Sequence, residues 1–159
     1  MTAFEPSADP SVAIRVAVSG DAEAVLALRD AALSAEAPSV YSAREVGELL
    51  DDIDVDELRA MIEDRQLFVA ETHGRIVGCA GWRGTHLRHV YVATDVQRVG
   101  LGASLVARAE FDFRDRTSAA AIHVASVLYA RHFYEKLGYE LATCGRTGSE
   151  PYRMRKTLT

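Results

Sequence analysis

The segment from residue 90 to residue 105 constrains the fold more than any other part of the chain. Its sequence is V-Y-V-A-T-D-V-Q-R-V-G-L-G-A-S-L. A strand pattern over residues 87–92 ends in this segment, and a glycine-bearing loop and then a helix pattern follow. The helix pattern has four apolar residues on one face: Leu101, Leu105, Ala109 and Phe113. The first amides of a helix lack internal partners and lie at the positive end of the helix dipole. This arrangement therefore predicts an anion site at the loop.

Two common phosphate-binding motifs do not fit this loop. A Walker loop needs a lysine after its glycines, and Gly100 is followed by L-G-A-S-L. A dinucleotide fingerprint needs a third small residue where Leu105 stands. What remains is Q-x-x-G-x-G from Gln97 to Gly102, which resembles the acetyl-CoA pyrophosphate loop of the GNAT superfamily of N-acetyltransferases. Taken alone, the same residues also fit an ordinary glycine turn at the start of a helix.

A second motif lies at residues 130–139, with the sequence A-R-H-F-Y-E-K-L-G-Y. Phe133 and Leu137 share one helical face, and Gly138 suits the left-handed residue that follows a helix. The segment resembles the second GNAT signature, in which a short helix of the pattern A-x-x-F-Y ends on a glycine. Because the two motifs occur in the family's order with a predicted strand between them, the chain is identified as a member of this superfamily.

The order of the predicted elements, β-α-α-β-β-β-α-β-α-β-β, is that of the GNAT fold. The resemblance implies an α/β (α+β) fold with a mixed, mostly antiparallel sheet of about seven strands. It also implies that strands 4 and 5 splay apart and that about four helices flank the sheet. A hairpin is predicted around His73-Gly74, and the second helical region, residues 43–64, is expected to break near residues 52–54. We expect residues 1–11 to be a disordered leader and residues 12–159 to be a single acyl-CoA N-acyltransferase domain.

Composition narrows the function classes. The net charge of −5 argues against a nucleic-acid-binding protein, which needs a basic face. No apolar run is long enough to cross a bilayer and no signal peptide is seen, so we expect no membrane partner and a cytoplasmic location. The two cysteines, Cys79 and Cys144, lack metal-ligand spacing, so no metal site is predicted.

Acidic residues are concentrated between residues 45 and 64, a segment that contains nine acidic residues and one basic residue, Arg59. The GNAT resemblance implies that this region forms part of the acceptor wall. A negative wall would attract a protonated amine, so a cationic small-molecule acceptor is expected. The alternative is a solvated helix face that keeps the protein soluble.

The resemblance implies transfer of the acetyl group of acetyl-CoA to a primary amine, by direct attack within a ternary complex and without a metal. The pyrophosphate would be held by Gln97, Arg98, Val99, Gly100, Leu101, Gly102 and Ala103. The pantetheine arm would pair with the backbone of strand 4 at Val90, Tyr91 and Val92. The asparagine that many members carry after strand 5 is missing here, and Ser126 or Tyr129 is expected to replace its contact.

Two residues are candidates for the proton transfers. Tyr134 matches the family's general acid, and it would donate to the leaving thiolate. His86 stands where many members have a glutamate that acts as the general base. A histidine beside the Gly84-Thr85 turn is also compatible with an exposed residue that has no catalytic role.

The geometry of strand 4 depends on whether its alternation is regular. Regular alternation places His86 on one face with Arg88, Val90 and Val92, and His89 on the other. A bulge, which is common in the family, would exchange these assignments.

A non-catalytic acyl-CoA-binding or sensor module of the same fold is the main alternative function. Acceptor-dependent thiol release would distinguish the two. Within the enzyme interpretation, the acceptor amine belongs either to a small molecule or to a protein, and a homodimer is compatible with the resemblance.

Overall fold

A seven-stranded sheet in the order β1-β2-β3-β4-β5-β7-β6 runs through the protein. The computed structural model describes residues 11–142 and 147–158, without the side chains of residues 97–99. The strands there are β1 (Ala13–Val16), β2 (Leu67–Thr72), β3 (Arg75–Arg83), β4 (His86–Val92), β5 (Ala121–Ser126), β6 (Glu140–Leu141) and β7 (Tyr152–Thr157). The helices are α1 (Ala22–Glu36), α2 (Ala43–Asp51), α3 (Val55–Glu63), α4 (Leu101–Arg116) and α5 (Arg131–Lys136). This confirms the expected fold class; the predicted leader lies almost wholly outside the described residues.

Short-range sequence signals account for the element boundaries. β2 and β3 are joined by His73 and Gly74, both with positive φ (50° and 74°), as a tight hairpin turn requires. The predicted break in the second helical region is confirmed, because α2 ends at Asp51 and α3 begins at Val55. The Asp54 carboxylate accepts a hydrogen bond from the Glu57 amide at 2.9 Å and so caps α3. No helix in residues 11–142 and 147–158 is long and apolar enough to cross a membrane.

Helices cover both faces of the sheet. The predicted apolar face of α4 is confirmed, since Leu101, Leu105, Ala109 and Phe113 are fully buried. Two glycines of β3 show which helix covers each face. A Cβ atom added to Gly78 would lie 2.7 Å from Leu105 of α4, whereas a Cβ atom added to Gly81 would lie 2.8 Å from Met61 of α3. α1 packs with α3 and also contacts β3 and β4. Cys79 is buried within β3, as expected of a strand cysteine.

β4 and β5 splay apart, as the fold resemblance implies. They run parallel and meet at one register pair, His86 and His123, beside a 2.8 Å hydrogen bond from the His123 amide to the Thr85 carbonyl. Beyond that pair, no further β4 residue is in register with β5 in the described part of the chain. The edge of β4 around Val90 therefore faces an opening rather than a neighbouring strand.

A bulge interrupts β4, so of the two alternatives left open for this strand the irregular one is correct. Cys79 pairs with Tyr91, and Gly81 pairs with Arg88. Between these two pairs the chain advances two residues on β3 but three on β4, so β4 has one extra residue. The extra residue lies where His89 has a φ of +57°. As a result, Arg88 and His89 both approach Glu57 of α3, at 3.8 and 4.0 Å.

Beyond the bulge, the side chains of β4 lie on exchanged faces. Val92 lies on the α4 side, with its Cγ2 atom 3.6 Å from the Cβ position of Gly102. His86 and Arg88 therefore do not share a face with Val92. The exchange follows from one inserted residue, because side chains alternate with a period of two.

Candidate active site

A cavity of about 430 Å³ lies where the end of β4, the start of α4 and the α5 motif meet. Tyr134 lines it together with seven of the predicted cofactor-binding residues: Val90, Tyr91, Val92, Gly100, Gly102, Ala103 and Tyr129. Seven residues without a predicted role at the site line it as well: Ala32, Glu36, Val127, Ala130, Phe133, Lys136 and Leu137. The fold thus brings both sequence motifs to one opening.

One end of the cavity is built from the first turn of α4. Gly100 adopts a left-handed conformation with φ +72°, and α4 starts at the next residue. Ser104 donates to the Gly100 carbonyl at 3.1 Å, so the amides of Leu101, Gly102 and Ala103 precede the first helical bond. Amides in this position, at the positive end of a helix dipole, are suited to an anion.

Gly102 connects the two motifs by close packing. A Cβ at this position would lie 3.1 and 3.2 Å from two ring carbons of Phe133. The second glycine is therefore needed for the approach of α5, in addition to the predicted access for a ligand. The sequence places Phe133 on an apolar helix face and in the A-x-x-F-Y pattern, and neither signal predicts its contact with Gly102.

The remaining predicted loop residues differ in which groups they present for ligand binding. The side chain of Leu101 is fully buried in the core, so this residue presents only its amide. Gln97 and Arg98 belong to a 3₁₀ turn from Thr94 to Val99. Their side chains, and that of Val99, lie outside the described part, so the assignments to Gln97, Arg98 and Val99 stay predictions.

Tyr134 lies at the cavity wall and is 6% exposed. Its ring packs edge-on against Phe133 and Tyr139, with centroids 5.0 and 5.6 Å away. Burial, with smaller contributions from Tyr91 and Tyr129, raises the pKa of Tyr134 above its ordinary value. The phenol is therefore protonated at neutral pH and able to donate a hydrogen bond into the cavity.

Tyr129 is a further aromatic residue of the cavity lining. Tyr129 packs edge-on against Tyr41 with centroids 6.4 Å apart, and the Tyr41 hydroxyl accepts a 2.8 Å hydrogen bond from the Leu128 amide. Ser126 behaves differently from Tyr129, because it is buried and its hydroxyl donates to the Val127 carbonyl at 2.9 Å. Of the two expected substitutes for the missing asparagine, Tyr129 is the one at the cavity.

His86 lies away from the cavity lining, at the closed end of the splay. Its ring lies 5.3 Å from that of His123, tilted by 31°. Burial, followed by the charges of Arg88, His123 and Arg153, lowers the pKa of His86. The ring is therefore neutral at pH 7, and its role as a base stays a prediction.

Arg29, which is buried, and His89, whose side chain is 11% exposed, are polar residues for which the sequence predicts no role at the site. His89 Nε2 has no hydrogen-bond partner in the described part of the chain, and burial, with smaller effects of Arg29 and Arg88, lowers the pKa of His89 to about 4. The Arg29 guanidinium donates to the carbonyls of Leu49, Leu50 and Asp52 at 2.6–3.1 Å and so holds the end of α2. An arginine on an apolar helix stripe was the available signal for this role.

Comparison with known proteins agrees with this geometry. The acetyltransferase (GNAT) domain family matches residues 37–158. The chain belongs to the GNAT acetyltransferase family. Among curated protein sequences, none matches significantly.

Solved structures share the fold of this GNAT protein over nearly its whole length. A GCN5-related N-acetyltransferase from Rhodopseudomonas palustris is 23% identical with a TM-score of 0.79, and 99% of each chain is covered. The PaiA N-acetyltransferase from Thermoplasma acidophilum, solved in complex with coenzyme A, is 15% identical with a TM-score of 0.74, covering 93% of this chain and 99% of that one. A GNAT-family acetyltransferase from Staphylococcus aureus Mu50 is 14% identical with a TM-score of 0.67, with 93% and 99% covered.

Proposed function

We propose that this protein transfers the acetyl group of acetyl-CoA to a primary amine by direct attack within a ternary complex. The observation that carries the proposal is one cavity of the described structure that joins the start of α4, the open edge of β4 and the ring of Tyr134. The coenzyme A complex of the Thermoplasma structure, which has the same fold, supports a CoA thioester as the donor.

Each part of the cavity suits one part of such a donor. The amides of Leu101, Gly102 and Ala103 would receive the pyrophosphate, and Lys136 supplies a cation within the cavity lining. The backbone of β4 at Val90 would bond to the pantetheine amides as a neighbouring strand does. The thioester would then lie near the bulge of β4 and the hydroxyl of Tyr134.

The chemistry requires one bond to form and one to break. The neutral amine attacks the thioester carbonyl to form the C–N bond, and the C–S bond breaks. Tyr134 donates a proton to the leaving thiolate, which its raised pKa permits because the phenol is still protonated at pH 7. The attacking amine loses its own proton to a base. His86 is the candidate for that role, and it would act through water because it lies outside the cavity lining.

Calorimetric titration with acetyl-CoA tests the binding site. The wild type is expected to bind at micromolar concentration, and Gly100→Glu is expected to weaken binding at least tenfold by placing a carboxylate beside the pyrophosphate amides. Gly74→Glu is the matched control, because Gly74 has nearly the same φ, 74° against 72°, and also has open space around its Cβ position. Both variants carry similar backbone strain, but only one alters the cavity.

Amine-dependent release of free CoA thiol then tests the enzyme interpretation. Release that requires both acetyl-CoA and an amine supports the transferase, whereas tight binding without release from any amine favours the non-catalytic sensor. An absence of acetyl-CoA binding in the wild type would refute both interpretations.

A further inference from the structure

A basic surface lies beside the splay, on the sheet face opposite α4. We call it the basic sheet face, and it consists of His86 and Arg88 of β4, His123 of β5, and Arg153 and Arg155 of β7. The strand register brings these residues together: His86 pairs with His123, His123 with Arg155, and Ala125 with Arg153. Residues in register on adjacent strands lie on the same face, a few ångströms apart.

Side-chain observations support this grouping. The ring centroids of His86 and His123 are 5.3 Å apart. Besides burial, Arg88, His123 and Arg153 all lower the pKa of His86 through their charge, so they lie close to it. Arg153 and Arg155 are exposed, whereas Met154 between them is buried. The two arginines therefore project to the open side of β7 and not toward the core.

Nearby carboxylates offset only part of this charge. Glu57 approaches Arg88 at 3.8 Å, and Glu140 of β6 is in register with Arg155. Neither Arg153 nor Arg155 forms an ion pair within residues 11–142 and 147–158, and of the two only Arg155 has a carboxylate in register with it. Arg153 is therefore the cation of this face that is best placed to bind a ligand.

Several carboxylates of the acidic segment serve local structure. Glu45 and Asp54 cap α2 and α3, whereas Glu48 pairs with Arg44 at 3.2 Å and Asp64 with Arg83 at 2.6 Å. These groups already have hydrogen-bond or ion partners within their own helices or on the adjacent strand. The sequence expectation of an acidic acceptor wall therefore lacks structural support from these residues.

The basic sheet face adjoins the cavity along β5, and its five residues lie outside the cavity lining. Arg153 lies opposite Ala125, and Val127, two residues further along the chain, lines the cavity. Two residues of strand span about 7 Å, and an arginine side chain reaches a similar distance. An acceptor whose amine lies at the thioester can thus place its other end on this face.

We propose that the acceptor amine carries a carboxylate several ångströms from its nitrogen, and that the basic sheet face binds this carboxylate, chiefly through Arg153. This inference rests on the proposed acetyl transfer and names the chemical class of its acceptor. Arginine suits the role because its planar guanidinium binds a carboxylate through two parallel hydrogen bonds. The inference is opposite to the cationic acceptor that the acidic segment suggests.

Three CoA conjugates of equal length test the inference without knowledge of the natural acceptor. In each, the CoA sulfur is joined through a CH₂–CO group to the nitrogen of a five-carbon amine. The amines are 5-aminopentanoate, 5-aminopentanol and 1,5-diaminopentane, which end in a negative, a neutral and a positive group. Calorimetry would measure the affinity of each conjugate and of CoA alone.

We expect the carboxylate conjugate to bind about tenfold more tightly than the alcohol conjugate, and the diamine conjugate to bind most weakly. Arg153→Gln should remove this preference and leave the affinity for CoA alone unchanged, and Arg153→Glu should favour the diamine. Arg59→Gln is the matched control, since it removes one positive charge from an exposed position on α3, outside the basic sheet face.

Other results would overturn the inference. Equal affinities of the wild type for the three conjugates, or tightest binding of the diamine conjugate, would show that the face does not select a carboxylate. A carboxylate preference that survives in Arg153→Gln and Arg88→Gln would place the selectivity elsewhere. If CoA alone fails to bind, the proposed acetyl transfer fails, and the inference that depends on it fails too.

Discussion

The two halves of the candidate site are built in different ways. The cofactor half, from Gly100 to Ala103 with α5, consists mainly of backbone amides and apolar side chains from two continuous motifs. The acceptor half, around the bulge and the basic sheet face, consists of charged and polar side chains from β4, β5 and β7. One half depends on local conformation, and the other depends on strand register.

This difference determines how each half responds to change. A ligand group that contacts backbone amides is recognised whatever side chains surround it, so the cofactor half can stay the same while acceptors differ. Side chains on neighbouring strands can be exchanged without altering the fold, so the acceptor half is where specificity can change. Substitutions in the two halves should therefore affect different measured quantities.

The largest effect is expected from Tyr134→Phe, which should lower turnover by about 10²-fold and change acetyl-CoA affinity little. The hydroxyl is needed only when the thiolate leaves, and proton transfer from a positioned group contributes about this factor. Steady-state thiol release and calorimetry would measure the two quantities. Tyr139→Phe is the control, because the Tyr139 hydroxyl donates to Glu110 at 2.6 Å, away from the cavity lining, so its loss should affect stability and not turnover. Unchanged turnover in Tyr134→Phe would remove this residue from the mechanism.

A smaller effect, on stability, is expected at the bulge. The pKa of His89 is lowered from 6.5 to about 4, so the unfolded chain binds a proton in this range and the folded protein does not. The free energy of unfolding should therefore decrease as the pH falls below about 6.5, by about 1–3 kcal/mol near pH 4. His89→Asn should reduce this loss, since asparagine tolerates positive φ and does not titrate.

Urea unfolding at several pH values would measure this effect. The control is His73→Asn, because His73 also has a positive φ, 50°, but is exposed in the β2–β3 turn. Parallel pH profiles for wild type and His89→Asn would show that burial of His89 carries no titration penalty.

The smallest effect is expected from a comparison of two helical glycines, one in the cofactor half of the site and one in α2, outside the cavity lining. Gly47→Ala in α2 should stabilise the protein by up to about 1 kcal/mol, because nothing lies within 4 Å of its Cβ position. Gly102→Ala should not show this gain, because Phe133 lies 3.1 Å from the added atom, and acetyl-CoA should bind several-fold more weakly. Thermal unfolding and calorimetry would measure both. Equal stabilisation by the two substitutions would contradict the close packing of the two motifs.

Most of the fold could be predicted from the sequence, because its signals are local. The apolar stripe of α4, the His73-Gly74 turn and the break near Asp52 each depend on residues within one or two turns of chain. The bulge could not be predicted, because H-L-R-H-V-Y-V is equally compatible with regular alternation. Its position depends on how β4 pairs with Cys79 and Gly81, which is a tertiary property.

The candidate site was predictable to a different extent in each half. Tyr134, Gly100 and Gly102 were found because they belong to motifs of fixed spacing. Arg153 was not found, because nothing near it in the sequence indicates that it lies beside His86 and His123. Glu36, at the end of α1, also lines the cavity. It could not be predicted for a similar reason, because the packing of α1 against the sheet brings it there and no local sequence pattern indicates this.

The single register pair between β4 and β5 also has a mechanical consequence. Among the described residues, the backbone hydrogen bonds of β1–β4 and those of β5–β7–β6 form two networks, which meet at one register pair. The C-terminal strands are additionally held to α4 by Glu110, which pairs with Lys156 at 3.0 Å and accepts from Tyr139. Between the two parts of the sheet, the hydrophobic core and these Glu110 contacts therefore carry more of the cohesion than backbone hydrogen bonds do. A molecule bound in the cavity, which lies along the line between the two parts, would add contacts where the backbone supplies few.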